Sequence, residues 1–205
     1  MYIPSKFLLD EDAAWRVVRD AGAGALIVTT SHGLASVFVP VIVSEDRKII
    51  SSHLAKANPW WRSVQTGDDI LGLFLAASAY VTPSYYPSRI DDPRVVPTWN
   101  YHAAEVRGTV TLHQEPSWKL EQVRALTKHF EAGRDREWRV DEAPDSYIDQ
   151  QLKAIVGIEI NVSSIEGKAK LSQNRPMIDR DTVRDEFAKG TLGERNVAQR
   201  MSSDG

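Results

Sequence analysis

Groups that can hold an anion follow one another in residues 48–62, KIISSHLAKANPWWR. The apolar run ends in the hydroxyls of Ser51 and Ser52, the imidazole of His53 and the ammonium of Lys56. An Asn-Pro turn follows and favours a helix start, so backbone donors converge with these side chains. The stretch therefore indicates a phosphate site. From spacing alone, a solvated strand end with a surface lysine is an equally good interpretation.

A second group combines aromatic rings with polar side chains between residues 80 and 101. Flat rings beside amide and hydroxyl donors suit a planar ligand with polar edges, such as a flavin or a base. The alternatives are an aromatic cluster that stabilises a long loop, or a dimer interface rich in Tyr and Trp. The aromatic residues are Tyr80, Tyr85, Tyr86, Trp99 and Tyr101, and the polar ones are Ser84, Ser88, Arg89 and Asn100.

A third group is the donor-rich run GKAKLSQNR at residues 167–175, which contains Lys168, Lys170, Gln173, Asn174 and Arg175. It is short for a DNA-binding arm, and its spacing alone favours a solvated turn over a binding site. No arrangement of serine, histidine and acid identifies a catalytic residue. The chain has no cysteine and its five histidines lack metal-ligand spacing, so we expect no metal site.

Composition limits the protein's class. With 205 residues, 42% of them hydrophobic and 26% charged, the chain can build one sizeable core. A formal net charge of −3 argues against indiscriminate nucleic-acid binding but leaves a local basic patch possible. No apolar run is long enough to span a membrane, and residues 1–15 include acidic residues where a signal peptide would be apolar. We therefore expect a cytoplasmic protein.

Hydrophobic periodicity predicts short strands with a few helices, connected as in an antiparallel meander. Asp10 is an N-cap candidate for an opening helix that ends at Gly22. Pro40 interrupts one β-rich run, which places that strand at an edge or at a bulge. Strands are expected at 25–30, 34–43, 48–52, 70–82, 101–113 and 156–165, and helices at 58–66, 116–130, 147–155 and 182–189.

The predicted fold class is mainly β with α, an α+β protein built on an antiparallel barrel of about six strands with peripheral helices. The first half of the strand at 70–82 has little polar alternation, which predicts burial on both faces. The nucleotide fingerprints G-x-G-x-x-G and G-x-x-x-x-G-K-[ST] are absent. Any phosphate must therefore be held in another way.

Four motifs together resemble one family, the PaiB-type proteins, described as FMN-binding negative transcriptional regulators. They are HLAKANPWW at 53–61, YVTPSYYPSR at 80–89, VPTWNYHAAEVRG at 96–108 and GKAKLSQNR at 167–175. The resemblance runs from MYIPSKF at residues 1–7 to beyond LSQNR. It implies a split β-barrel related to pyridoxamine phosphate oxidase domains, forming a homodimer with FMN in a groove between the subunits.

The resemblance also implies roles for single residues. The stretch 51–56 would lie near the FMN phosphate, and residues from the later motifs would reach the cofactor. The expected domains are an FMN-binding barrel at 1–165 and a segment at 166–205 that completes the site and ends in a helix and a flexible tail. The expected FMN-binding residues are Ser51, Ser52, His53, Lys56, Trp99, Asn100, Lys170, Gln173 and Asn174.

Three functions remain open from the sequence. The first is a flavin-binding regulator or sensor, as the family name implies. The second is a flavin-dependent oxidoreductase acting on a small molecule. The third is a repressor that binds DNA directly, against which stand the net charge and the lack of a recognisable helix-turn-helix.

Overall fold

The computed structural model describes residues 1–203, and the chain divides into two compact units. Unit 1 comprises Met1–Ala21, Phe74–Glu105 and the chain from Glu166, and unit 2 comprises Gly22–Leu73 and Val106–Ile165. The helices are α1 (Glu11–Ala21), α2 (Pro116–Glu131), α3 (Asp145–Lys153), α4 (Met177–Phe187) and α5 (Leu192–Ser203). The strands are β1 (Ala23–Thr30), β2 (Gly33–Pro40), β3 (Ile42–Val43), β4 (Ile49–Ala55), β5 (Asp69–Val81), β6 (Thr98–His113) and β7 (Ile155–Lys170).

The seven strands form one sheet in the order β2-β1-β5-β6-β7-β4-β3. This confirms the predicted antiparallel α+β architecture. The two ends of that order, β2 and β3, are consecutive in the chain. β2 pairs with β1 from Thr30↔Gly33 to Ala23↔Pro40, whereas β3 pairs with β4 through Ile42↔Ser51. The segment 33–43 therefore pairs on two sides and closes the sheet of unit 2.

Pro40 marks the point where the pairing changes partner. Proline has no N–H to donate to a ladder, and β2 ends there, where the sequence predicted an edge strand or a bulge within one continuous strand. The next amide, of Val41, donates to the Gly22 carbonyl over 2.9 Å. The break divides the expected strand 34–43 into two, which accounts for seven strands where about six were predicted.

Alternating residues fill the interior of unit 2, as expected for strands with one buried face. They include Leu26 and Val28, Val37 and Val39, Ile50 and Leu54, and Ile158 and Ile160.

The prediction that the first half of β5 is buried on both faces is wrong. Leu73 and Leu75 are 40% and 56% exposed, while their neighbour Phe74 is buried. The buried residues then change from even to odd positions, since Ala77 and Val81 are buried and Tyr80 is exposed. A change of phase within one strand reverses the exposed face.

The core of unit 1 contains the C-terminal helices. α4 and α5 bury Val183, Phe187, Val197 and Met201 in a cluster that also contains Leu171. Among residues 1–203, none of the helices combines the length and apolar composition that a membrane-spanning helix needs.

Several predicted elements need correction. β4 runs to Ala55 and β7 to Lys170, beyond their predicted ends at 52 and 165. Residues 59–63 form a five-residue 3₁₀ helix instead of two α-helical turns. β6 begins at Thr98, three residues before the predicted start. Two helices, α4 and α5, replace the single helix expected at 182–189, and the tail predicted to be flexible is helical to Ser203. The last two residues of the predicted tail lie outside the described residues.

Candidate functional site

The predicted phosphate donors of β4 lie on two faces of the strand. Ser51 and His53 are half-buried and share one face, whereas Ser52 is buried on the other. Successive side chains of a strand point to opposite sides, so the three cannot converge from one face.

The hydroxyl of Ser52 is engaged inside unit 2. It donates to the Pro40 carbonyl over 2.6 Å, next to the point where the pairing of 33–43 changes partner. Because proline ends the β2 ladder, this side-chain bond links β4 to the end of β2. In this structure Ser52 therefore stabilises the closure of the sheet.

His53 faces α2. Its Nδ1 lies 2.7 Å from Oε1 of Gln122, a buried residue of that helix. In the ladder between β4 and β7, Ser51 is opposite Glu159 and His53 is opposite Gly157. The half-buried face of β4 therefore lies beneath α2, and the position of α2 determines the surroundings of His53.

Lys56 follows β4 in a turn whose backbone is fixed by hydrogen bonds. Its amide donates to the Ala154 carbonyl over 2.7 Å, and its carbonyl accepts a bond from the Trp61 indole over 2.9 Å. Asn58 caps the following 3₁₀ helix by accepting from the Trp60 amide over 3.0 Å. The Lys56 side chain is exposed. A fixed backbone with an exposed ammonium is a suitable arrangement for binding an anion.

A second lysine of unit 2 lies close enough to Lys56 to be affected by its charge, and the sequence did not identify it. Lys119 of α2 is buried, and its ammonium donates to the Leu152 carbonyl over 2.5 Å and to the Ile155 carbonyl over 3.4 Å. Burial lowers the pKa of Lys119, and the positive charge of Lys56 lowers it further. No sequence signal marks Lys119, because its partners lie more than thirty residues away.

Asn100, in unit 1, is fully buried and bonds with Ser172 in both directions. Its amide nitrogen donates to the Ser172 hydroxyl over 2.9 Å, and that hydroxyl lies 3.2 Å from the Asn100 carbonyl oxygen. Ser172 has a φ of 65°, in the left-handed region. The pair connects β6 to the turn that follows β7.

The end of β7 and the turn after it position two more predicted residues. The Lys170 ammonium donates to the Thr98 hydroxyl and to the Trp99 carbonyl, the latter over 2.8 Å. Burial lowers the pKa of Lys170, and the charges of Lys168 and Arg175 add to this effect. The amide group of Gln173 bonds within the turn, to the Leu171 amide and the Ala169 carbonyl.

The other predicted residues of unit 1 are exposed. Asn174 lies at the surface of the turn. Trp99 is 50% exposed and lies edge to face with Tyr80, with ring centres 6.2 Å apart. Tyr86, by contrast, is fully buried in the core of unit 1. Of the predicted aromatic residues, Tyr86 therefore lies in the core and Tyr80 and Trp99 form an exposed pair, while Tyr85 and Tyr101 are half-buried.

The nine residues predicted to bind FMN fall into two sets, one in each unit. Unit 2 contains Ser51, Ser52, His53 and Lys56, and unit 1 contains Trp99, Asn100, Lys170, Gln173 and Asn174. Their roles in binding FMN stay predictions.

Comparison with known proteins gives the family. Residues 1–164 match the family model described as "Putative FMN-binding domain". The chain belongs to this FMN-binding family. The protease synthase and sporulation protein PAI 2 of Bacillus subtilis is 30% identical over 182 residues, which cover 87% of this chain and 85% of that protein. The predicted resemblance to the PaiB-type proteins is confirmed, and with it FMN as the cofactor of the family.

Solved structures confirm the split-barrel fold. The FAD and heme binding protein from Mycobacterium smegmatis superimposes with a TM-score of 0.61 at 14% identity, covering 90% of this chain and 80% of that chain. The flavocytochrome Anf3 from Azotobacter vinelandii gives a TM-score of 0.56 at 11% identity, covering 78% of this chain and 67% of that one. At such low identity, these likenesses concern the fold alone.

Proposed function

We propose that this PaiB-type protein is a cytoplasmic, homodimeric flavin-binding regulator or sensor, and that Lys56 binds the phosphate of its FMN. The observation that carries the proposal is the Lys56 turn, whose backbone is fixed by Ala154 and Trp61 while the ammonium is exposed. Ser51 and His53 would contact FMN from the half-buried face of β4. Ser52 would hold β4 in place through its bond to the Pro40 carbonyl. Residues 1–165 would form the FMN-binding domain, completed by residues from 166 onwards.

The flavin part is tested by absorbance. Purified protein should show the visible spectrum of a bound flavin, or acquire it when FMN is added. Lys56→Ala removes one charge-assisted contact, worth about 1.5–3 kcal/mol, so we expect FMN to bind about 10- to 100-fold more weakly. Lys48→Ala, an exposed lysine just before β4, is the matched control and should leave the affinity unchanged. Protein that takes up no FMN would refute the proposal.

The set in unit 1 is assigned to the cofactor by the family resemblance. Trp99, Asn100, Lys170, Gln173 and Asn174 are proposed FMN contacts. Asn174→Ala and Trp99→Leu change exposed side chains, so each should weaken FMN binding without lowering the melting temperature. If FMN affinity is unchanged in both variants, those two residues do not belong to the site.

An exposed apolar row supports the homodimer. Phe38 is 73% exposed and Leu73 is 40% exposed, and both are paired with Ala25 of β1, which lies between them. A row of this kind across three strands is typical of an interaction surface. Phe38→Glu should convert a dimer to a monomer in sedimentation velocity. Phe130→Glu, at an exposed phenylalanine of α2, is the control. A wild-type monomer at micromolar concentration would refute the dimer.

The regulatory part of the proposal rests on the Bacillus subtilis relative, whose name describes it as a sporulation protein. We propose regulation that does not depend on direct DNA contact. Residues 177–203 contain five basic and five acidic residues, so this C-terminal segment has no net charge. A mobility shift that distinguishes specific from random DNA at low salt would overturn this part.

A further inference from the structure

Helix α2 holds the imidazole of His53 through a single amide. Nδ1 of His53 lies 2.7 Å from Oε1 of Gln122, and Gln122 is only 5% exposed. An amide oxygen accepts hydrogen bonds and cannot donate them, so Nδ1 carries the proton in this contact. The bond made by one imidazole nitrogen sets the role of the other. In neutral His53, Nε2 therefore has no proton and can only accept a hydrogen bond.

The second imidazole nitrogen is available to a ligand. His53 is half-buried, and no atom of residues 1–203 forms a hydrogen bond with its Nε2. The amide nitrogen of Gln122 is buried and has no hydrogen-bond partner in the same part of the chain. A buried N–H without a partner costs stability, so packing alone would favour an apolar side chain over a glutamine at this position. The bond to His53 is therefore the contact that gives the glutamine a role.

A buried lysine keeps Gln122 in place. Lys119 precedes it by three residues, so both side chains lie on the same side of α2. The Lys119 ammonium donates to the carbonyls of Leu152 and Ile155, which ties α2 to the end of α3 and the start of β7. The helix is thus anchored one turn before Gln122, and the amide meets the His53 ring in a fixed orientation.

The same anchor brings the Lys56 turn next to α2. The Lys56 amide donates to the carbonyl of Ala154, which lies between the two residues whose carbonyls bind Lys119. His53 is three residues before Lys56, near the end of β4. The imidazole that α2 orients and the exposed ammonium therefore occupy the same end of one strand. A protonated imidazole would add a second charged donor for an anion bound there.

The carboxylates near β4 pair with a different histidine. Glu159 of β7 lies 3.5 Å from Nε2 of His113, and Glu115, just before α2, lies 3.9 Å from Nδ1 of the same ring. The buried side of α2 adds the ammonium of Lys119. β2 and β3, which also contact β4, contain no ionisable residue. His53 itself has a neutral partner, so its charge can respond to a bound anion.

We propose that Gln122 is a positioning residue for the cofactor: it holds His53 so that Nε2 meets the phosphate of FMN, and FMN binds more tightly when His53 is protonated. This inference rests on the proposed function, in which the phosphate lies at Lys56. Histidine titrates between about pH 5 and 8. Above that range Nε2 has no N–H for a phosphate oxygen, and below it the imidazolium donates a charge-assisted bond. The site therefore couples cofactor affinity to pH.

Titration of the protein with FMN across about pH 5 to 8 tests this coupling. Wild-type affinity should rise as the pH falls. Gln122→Glu places a carboxylate against Nδ1 and favours the imidazolium, so the rise should begin about one pH unit higher. Gln122→Met frees the imidazole and should weaken FMN binding at the acidic end about tenfold. Gln150→Glu makes the same charge change at an exposed glutamine of α3 and is the control.

Riboflavin is the matched ligand, because it lacks the phosphate. Wild type and Gln122→Glu should have the same pH profile for riboflavin and different profiles for FMN. Equal FMN profiles in the two proteins would refute the coupling. A lower melting temperature in Gln122→Met with unchanged FMN binding would show that the amide is a packing contact only.

The ¹⁵N chemical shifts of the His53 imidazole in FMN-free protein test the geometry directly. Its signals, assigned by their loss in His53→Asn, should show the Nδ1–H form above the titration range, and Gln122→Met should remove that preference. A predominant Nε2–H form in wild type would overturn the inference, because Gln122 would then donate to Nδ1. Protein that takes up no FMN refutes the proposed function and the phosphate part of this inference, whereas the tautomer still tests the positioning of His53.

Discussion

A single added methyl group at Gly157 should displace α2 from the sheet. Gly157 is buried on β7, and a Cβ there would overlap Cζ3 of Trp118 and lie 2.6 Å from its Cε3. The indole cannot tilt away easily, because it is stacked on His113 with ring centres 4.0 Å apart and planes 6° apart. The Cβ of His113 would itself lie 3.1 Å from the new methyl. Relief therefore requires Trp118, and the helix that carries it, to move outwards.

The magnitude follows from overpacking. Inserting a methyl into a well-packed site costs about 1–3 kcal/mol. For a chain of this size each kcal/mol lowers the melting temperature by about 2–4 °C, so Gly157→Ala should melt about 4–8 °C below wild type for a cost near the middle of that range. His53 is opposite Gly157 in the β4–β7 ladder and contacts Gln122 of α2. The same variant should therefore weaken FMN binding if His53 belongs to the site.

Thermal unfolding followed by circular dichroism gives the cost, and a double-mutant cycle identifies its source. In the Trp118→Leu background the obstructing ring is gone, so Gly157→Ala should cost at least 1 kcal/mol less than in wild type. An equal cost in both backgrounds, or a cost below about 0.5 kcal/mol in wild type, would refute the proposed contact between the methyl and the ring.

Three further variants test other contacts. Ser52→Ala removes the buried bond to the Pro40 carbonyl and should cost about 1–2 kcal/mol in urea unfolding, with Ser51→Ala costing less than half as much. Burial lowers the pKa of Lys119 in the folded protein below its ordinary value of 10.5. Between the folded-state pKa and 10.5, the unfolded chain binds more protons than the folded one, so the free energy of unfolding should rise with pH in that window. Lys119→Met should flatten this rise. Asp179→Asn weakens the bonds from Ser88, so hydrogen exchange at residues 87–90 should accelerate, and unchanged exchange there would contradict the role given to Asp179.

Local features were predictable from the sequence because their partners are close in the chain. Asp10 accepts a bond from the Ala13 amide over 2.7 Å at the start of α1, and Asn58 caps the 3₁₀ helix at Pro59. Gly22 has a φ of 64°, which suits the glycine expected at the end of α1. The missing N–H of Pro40 predicted an irregularity in the strand, and the structure shows it as a break between β2 and β3.

Features that depend on distant partners were not predictable. Alternation along β4 predicts that the side chains of Ser51 and Ser52 point to opposite faces of the sheet. Only the structure shows that the Ser52 hydroxyl donates a hydrogen bond to the Pro40 carbonyl. The burial of Asn100 depends on Ser172, seventy-two residues later. The length of the 3₁₀ helix and the presence of α5 were missed because weak periodicity in short polar segments does not distinguish a helix from a turn.

The closure of the sheet has a consequence for how the chain folds during synthesis. The pairings of β1 with β2 and of β3 with β4 join residues less than twenty positions apart, so they can form early. β4 pairs with residues 155–161, about a hundred positions later, and pairing across such a separation is slow. Until the ribosome has released β7, one edge of β4 has no partner. During that interval a nascent chain is most exposed to pairing with another chain, and we expect β4 to be the strand that a chaperone protects.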